Sequence, residues 1–416
     1  MKMLFPIAIV SIFLLPLCMK AQPLPYAAYF SARGGLEYSY AVIAKEKKVT
    51  VGFLGGSITY NPGWRDMVCD YLKKKWPLTS FHFIAAGIPS LGSLPHAFRI
   101  QRDLLDSGRI DLLFVEAAVN DRVNGTDSIA QLRSLEGIVR HAKRSNPSMD
   151  IIMMAFADPA KTKDYNTGKI PVEVANQELV AGHYQLPSIN IAREVRDKMD
   201  HGEFSWEKDF KDVHPAPFGQ ELYFDNIKAL LEECYGGYEG KGKSQAGLGN
   251  IGERRGVRQP MPLPAPLDKA NLDNGRYYSI EHASYGKDWQ LDRDWTPSDS
   301  AHTRPGFVHV PVLSAVMPGA ELSLSFTGNA IGVALLSGPD AGIISYAIDD
   351  QPSKQIDSYT QWSSWLHLPW YLLLGSGLKE GAHVLHCKIS AEKNSASKGT
   401  ACRIVHFLVN IGSKSE

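Results

Sequence analysis

Val49-Thr50-Val51-Gly52-Phe53-Leu54-Gly55-Gly56-Ser57-Ile58-Thr59-Tyr60 is the stretch whose reading decides the fold. Its first half is a short apolar, β-branched run bounded by a turn signal, the pattern of a strand buried in a parallel sheet. Gly55 and Gly56 supply a permissive backbone for a tight exit from that strand. Beyond it, Trp64, Met67, Val68, Tyr71 and Leu72 recur at helical spacing between Trp64 and Trp76. Ser57 therefore falls in a strand-to-helix connection, and open α/β sheets bind ligands beyond the carboxyl ends of their strands. A serine there presents its hydroxyl to solvent and its amide near a helix N-terminus, the two requirements of an acyl-transfer nucleophile. On this stretch alone, a serine that merely caps a helix is an equal reading.

Outward from that point, apolar strands alternate with amphipathic helices as far as Tyr235. The expected strands are Val49–Leu54, Ser80–Ala85, Ile110–Glu116, Ile151–Ala157 and Ser188–Asn190. Helices are expected at Gly63–Trp76, His96–Asp106, Asp127–Ser145, Glu173–Tyr184, Ile191–Asp200 and Gly219–Tyr235. Such alternation implies right-handed crossovers and one three-layer α/β/α domain around a parallel sheet. A glycine-rich run from Gly236 and then Pro260-Met261-Pro262-Leu263-Pro264-Ala265-Pro266 read as a linker, stiff at its end. We place the α/β domain at residues 22–240, the linker at 241–268 and a second domain at 269–416.

The second domain shows short strands separated by turn chemistry such as Thr327-Gly328-Asn329 and Asp349-Asp350-Gln351, the signature of a smaller all-β sandwich, jelly-roll-like in character. Strands are expected at Gly306–Leu313, Glu321–Thr327, Ala330–Leu336, Ile343–Ile348, His383–Ser390 and Arg403–Val409. Trp362, Trp365, Trp370 and Tyr371 crowd a loop-like stretch, where aromatics either stack on sugar rings or fill a core.

Composition narrows the function. Lys and Arg together number 44, as do Asp and Glu, and they are dispersed, which argues against a nucleic-acid or anionic-membrane surface. No apolar run after the N-terminus reaches the length of a membrane span. Residues 1–21 read as a secretory signal peptide: Lys2, an apolar stretch Leu4–Leu17, and cleavage near Ala21. Lipid anchoring at Cys18 is disfavoured because Leu17 stands where a small residue is needed, so the expected location is secreted or periplasmic. The remaining cysteines, Cys69, Cys234, Cys387 and Cys402, form no disulfide framework; Cys387 and Cys402 either pair across two strands or stay as buried thiols.

Three further segments carry chemistry. In Asp212-Val213-His214-Pro215 the carboxylate and imidazole are two residues apart, so the Asp can orient a His that accepts a serine proton. No His-Glu-x-x-His and no clustered Cys/His set accompanies them, so neither metal nor cofactor is expected. Asn120, after the Ile110–Glu116 strand, offers a side-chain amide to a developing oxyanion, or an ordinary helix cap. The small residues of Ala85-Ala86-Gly87-Ile88-Pro89-Ser90-Leu91-Gly92-Ser93 let a backbone amide approach the same point.

Taken in order, these four segments resemble the SGNH/GDSL hydrolase family over roughly Lys48 to Leu231. Gly55-Gly56-Ser57-Ile58-Thr59 is similar to the first block, with Gly-Gly-Ser in place of Gly-Asp-Ser. Ala118-Val119-Asn120-Asp121 is similar to the third, with alanine for its leading glycine, and Asp212-Val213-His214-Pro215 to the fifth. The second block's oxyanion glycine falls on Ser90, with Gly87 as the alternative. The resemblance implies Ser57 as nucleophile, His214 as base, Asp212 as its partner, and an oxyanion hole of Ser57, Ser90 and Asn120. Trp64, Arg65, Trp206 and Phe210 rank lower, as pocket residues or as core. The expected activity is a secreted serine esterase taking O-acetyl groups from a polysaccharide or oligosaccharide. A lipase, lysophospholipase or thioesterase is the alternative among enzymes, and a noncatalytic glycan-binding protein the alternative outside them.

Overall fold

The computed structural model describes residues 29–244, 260 and 262–412. The expected signal peptide with Cys18, and much of the expected linker, lie outside these residues. Six strands form the first sheet: β1 (Phe30–Ser31), β2 (Lys48–Gly55), β3 (Ser80–Gly87), β4 (Leu112–Glu116), β5 (Asp150–Ala155) and β6 (Ser188–Asn190). Their order is β1-β6-β5-β4-β2-β3, and every pair is parallel except β1 with β6. The sheet is thus mixed rather than wholly parallel, because the chain enters on a two-residue edge strand too short to leave a sequence pattern.

Side-chain alternation along β2 sends Val49, Val51 and Phe53 into one apolar layer and Leu54 into the opposite one. The first layer is closed by α1 (Glu37–Lys45), α3 (Trp64–Lys75) and α10 (Pro217–Ser244), the second by α4 (Ser93–Asp103) and α6 (Ser128–Ser145). Shorter helices complete the domain: α2 (Ser57–Tyr60), α5 (Ala118–Val123), α7 (Pro159–Asn166), α8 (Val172–His183) and α9 (Ile191–Asp200). The chain passes from β2 to β3 on one side and then crosses to β4 on the other. That reversal opens a crevice beyond the end of β2, where Ser57 begins.

Gly236-Gly237-Tyr238-Glu239-Gly240 continues α10 instead of breaking it. Tyr238 stacks on Tyr40 with ring centroids 5.4 Å apart, and Glu239 pairs with Lys75 at 3.7 Å. Tertiary anchoring here overrides the helix-weakening tendency of the glycines.

The second domain is a nine-stranded antiparallel sheet: β7 (Gly275–Tyr278), β8 (Ser284–Tyr285), β9 (Gln290–Trp295), β10 (Val310–Ala315), β11 (Glu321–Ser337), β12 (Ile343–Ile348), β13 (Lys354–Asp357), β14 (Leu368–Ile389) and β15 (Cys402–Asn410). Thr327-Gly328-Asn329 is not a turn between two strands but a bulge inside β11, where the register against β14 slips between Gly328 and Ala330. The slip reverses the side-chain parity. Leu322, Leu324 and Phe326 before it and Ile331, Val333 and Leu335 after it all enter one core. Trp370 and Tyr371 belong to β14, not to a loop, while Trp362 and Trp365 precede it. Cys387 and Cys402 are both buried free thiols.

The two domains share a core. Leu272, Ala330, Ala334, Tyr371 and Leu408 lie in the same buried cluster as Phe98, Ile100 and Leu135 of α4 and α6. Two glycines let the backbones meet. A Cβ at Gly137 would stand 2.6 Å from the Leu272 carbonyl, and one at Gly275 would stand 2.7 Å from the Ala97 carbonyl oxygen.

Candidate active site

Ser57 is the first residue of α2, directly after β2. Its hydroxyl lies 2.8 Å from His214 Nε2, although 157 residues separate them. His214 sits on a loop tied down from both ends: the Lys211 amide donates to the Trp206 carbonyl at 2.6 Å and the Ala216 amide to the Phe210 carbonyl at 3.0 Å. Lys211 accepts a left-handed φ of 73° to make the turn. Asp212 Oδ1 accepts the His214 backbone amide at 2.5 Å and lies 3.4 Å from His214 Nδ1. The second distance is long for an N–H···O bond. The carboxylate thus fixes the loop first and the ring second, and such bonds often lengthen in ligand-free enzymes.

Asn120, in the first turn of α5 after β4, is buried, and a Cβ on Gly56 would overlap its Nδ2. Glycine at position 56 therefore leaves the room that this side-chain amide occupies beside the residue preceding Ser57. Ser90 takes a left-handed φ of 72°, the conformation in which a glycine is usual. Its carbonyl accepts Asn124 Nδ2 at 3.0 Å and its hydroxyl accepts Arg304 Nε at 3.1 Å. Gly87, by contrast, ends β3 opposite Gly55, and a Cβ there would stand 2.5 Å from the Tyr60 amide nitrogen. Its smallness serves the packing of α2 against the strand.

Four pocket candidates are resolved differently. Trp64 is fully buried and meets Phe53, Phe114 and Phe156 edge-on, with centroids 5.4–6.2 Å away, so it is core and cannot touch substrate. Phe210 is also fully buried, stacked between Phe204 and Trp206, and anchors the His214 loop rather than walling a pocket. Trp206 covers it, half-buried. Arg65 donates to the Thr59 carbonyl at 2.9 Å and so closes the end of α2. The signal for core was present in the sequence, since Trp64 leads the apolar stripe of its own helix.

Other residues of the site were not singled out from the sequence. Arg99, fully buried on α4, donates to the Gly55 carbonyl at 3.0 Å and the Ala86 carbonyl at 2.6 Å, and pairs with Asp103 at 2.8 Å. One guanidinium thereby fixes the ends of the two strands from which the Ser57 and Ser90 segments leave. Asp121 Oδ1 accepts the Ser93 amide and hydroxyl at 2.8 and 2.9 Å, fastening α5 to the start of α4. Burial pushes the carboxyls of Glu116 and Asp121 up to about 7. Both flank Asn120, and at neutral pH they carry less than their full negative charge beside it.

A cleft of about 1140 Å³ runs between the domains, from Ser90, Leu91 and Asn124 to Trp370 and Tyr371. It reaches the Ser57 region only through Ser90; neither Ser57 nor His214 is in its walls. The His214 and Asp212 side chains are instead 44% and 67% exposed, so the Ser57–His214 pair opens at the surface. Among the described residues no group of three or more His, Cys, Asp and Glu is arranged to hold a metal, and no helix is long and apolar enough to cross a membrane.

Residues 53–222 match the model of the GDSL-like Lipase/Acylhydrolase family. No curated protein matches the chain. Among solved structures, a two-domain esterase (CEX) active on acetylated mannans, co-crystallised with mannopentaose, is 18% identical at a TM-score of 0.71, over 92% of this chain and 98% of that one. A second structure of a two-domain esterase (CEX) active on acetylated mannans gives 18% identity and a TM-score of 0.68, over 92% and 97%. An acetylxylan esterase from Geobacillus stearothermophilus is 14% identical at a TM-score of 0.35, over 44% of this chain and 94% of that one. At these identities the similarity is one of fold.

Proposed function

We propose that this chain, whose residues 53–222 match the GDSL-like Lipase/Acylhydrolase family model, is an exported serine esterase that removes O-acetyl groups from a polysaccharide or oligosaccharide. The observation that carries the proposal is the 2.8 Å approach of His214 Nε2 to Ser57 Oγ, with the Asn120 amide beside Gly56. His214 takes the hydroxyl proton as Ser57 Oγ attacks the acetyl carbonyl. The resulting oxyanion is held by the amides of Ser57 and Ser90 and by Asn120 Nδ2. Collapse expels the sugar oxygen, which receives the proton from His214, and leaves an acetyl-enzyme. Water, activated by the same imidazole, then releases acetate and restores Ser57. Asp212 steadies the imidazolium, and the cycle balances without a cofactor.

An exposed reacting centre suits a short acyl group carried on a bulky polymer. The sandwich supports a glycan substrate as well: Trp365, 46% exposed, meets edge-on, at a 6.0 Å centroid separation, the ring of His302, which lies two residues before Arg304. The structural relative's activity on acetylated mannans puts mannan first among the polymers to try. The N-terminal segment ending near Ala21 supports export.

The test is acetate release from acetylated mannan, xylan, pectin and xyloglucan by wild type and Ser57→Ala. We expect release from at least one polymer and a loss of about 10⁴–10⁶ in the variant. Equal rates would remove Ser57 from the mechanism. Faster turnover of octanoyl than acetyl p-nitrophenyl ester would instead favour a lipase or thioesterase.

A further inference from the structure

The segment Ile88-Pro89-Ser90 belongs to the α/β domain in sequence, yet the β domain holds it at two points. Ile88 packs against a small apolar cluster of the β domain formed by Trp295, Phe307, Val312, Leu336 and Val405. Two residues further on, Arg304 Nε donates to Ser90 Oγ at 3.1 Å across a sequence separation of 214 residues. Arg304 is itself fixed: its carbonyl accepts the Phe307 amide at 3.1 Å, and Phe307 is buried in that same cluster. The neighbouring His302 exchanges backbone hydrogen bonds with Trp365 and His367 at 2.8 Å each. Arg304 is half-buried. Burial pulls its pKa down.

These contacts matter because Ser90 is a non-glycine residue in left-handed backbone, held by what surrounds it. From the α/β side Asn124 grips its carbonyl; from the β domain Arg304 grips its hydroxyl. A glycine at this position would offer the second domain nothing to hold. We propose that Arg304 is a positioning residue of the esterase, aiming the Ser90 amide at the oxyanion so that the β domain completes the acyl-transfer site rather than only binding polymer. This rests on the reading of Ser57 as nucleophile and the Ser90 amide as an oxyanion donor.

The substrate for the test is p-nitrophenyl acetate, too small to report on polymer contacts. Arg304→Ala should lower kcat about tenfold with KM nearly unchanged, the size expected of a misaimed rather than deleted donor. Arg304→Lys, which keeps a donor, should recover part of the loss. Ser90→Ala removes the acceptor and sets its own baseline. On that background Arg304→Ala should cost less than about twofold, because the bond is already gone. Arg304→Gln is read alongside should Arg304→Ala melt early. The proposal is overturned if Arg304→Ala leaves kcat on the small ester intact, or if it costs as much on the Ser90→Ala background as in wild type. Full activity of Ser57→Ala would overturn the underlying esterase site instead, so the two failures are separable.

Discussion

At the residue scale the site depends on who can approach whom. Gly56 is the clearest case: a single methyl at this position would take the space of Asn120 Nδ2. If Asn120 is the oxyanion donor proposed above, Gly56→Ala should lower kcat by about 10²–10³, close to the effect of Asn120→Ala, since each variant then loses one donor worth ~3–4 kcal/mol. Similar losses in the two single variants, and little extra in the double, would be read in ester-hydrolysis kinetics. Asp212 is, on geometry, the weakest member of the proposed catalytic set, 3.4 Å from Nδ1 and well exposed. Asp212→Asn should therefore cost at least about tenfold less in kcat than His214→Ala, a difference within the range other hydrolase triads show.

At the scale of elements, added Cβ atoms at Gly236 and Gly237 of α10 would meet nothing within 4 Å. Each substitution to alanine is expected to stabilise by about 0.5–1 kcal/mol and to raise the melting temperature, with ester hydrolysis unchanged. A second element-level consequence concerns Asp150, which opens β5, accepts the Ser39 amide at 2.7 Å and is pushed up to about 7 by burial. The unfolded chain gives up this proton near pH 4, the folded chain only near 7. Across that window the folded state binds the extra proton, so the group's contribution to stability falls as pH rises and levels off above it. Asp150→Asn removes the titration. The melting temperature of the variant relative to wild type should accordingly climb by a few degrees between pH 5 and 8. A difference that stays flat would refute the assignment.

For the whole molecule the decisive feature is the core that the two domains share. Gly137 on α6 lets the Leu272 backbone seat against the helix, and a Cβ 2.6 Å from that carbonyl forces the domains apart. Gly137→Ala is expected to cost about 1–3 kcal/mol and to lower the melting temperature by several degrees. If the β domain also steadies the Ser90 segment, the same variant should lose activity on p-nitrophenyl acetate at temperatures where it remains folded. Calorimetry and kinetics on one preparation distinguish the two effects.

Much of this was legible in the sequence. Period-two and period-3.6 apolar patterns are local, so the layers of the α/β domain and most of its strands could be read from runs such as Val49–Leu54. The four short blocks around Ser57, Ser90, Asn120 and His214 stood out by residue type, and the structure brings Ser57 and His214 within 2.8 Å. What the sequence did not carry was anything set by distant partners. Whether Trp64 and Phe210 face a pocket or the interior depends on which helices close over them. Gly236–Gly240 stays helical because Tyr40 and Lys75 wait for it. Thr327–Asn329 bends without breaking because β14 bulges opposite. Nothing local marks Arg99 or Arg304 until the fold puts two strand ends beneath one and the Ser90 hydroxyl before the other. Local pattern determined the elements and the reactive groups; long-range contact, which no window of sequence contains, decided how those groups are held.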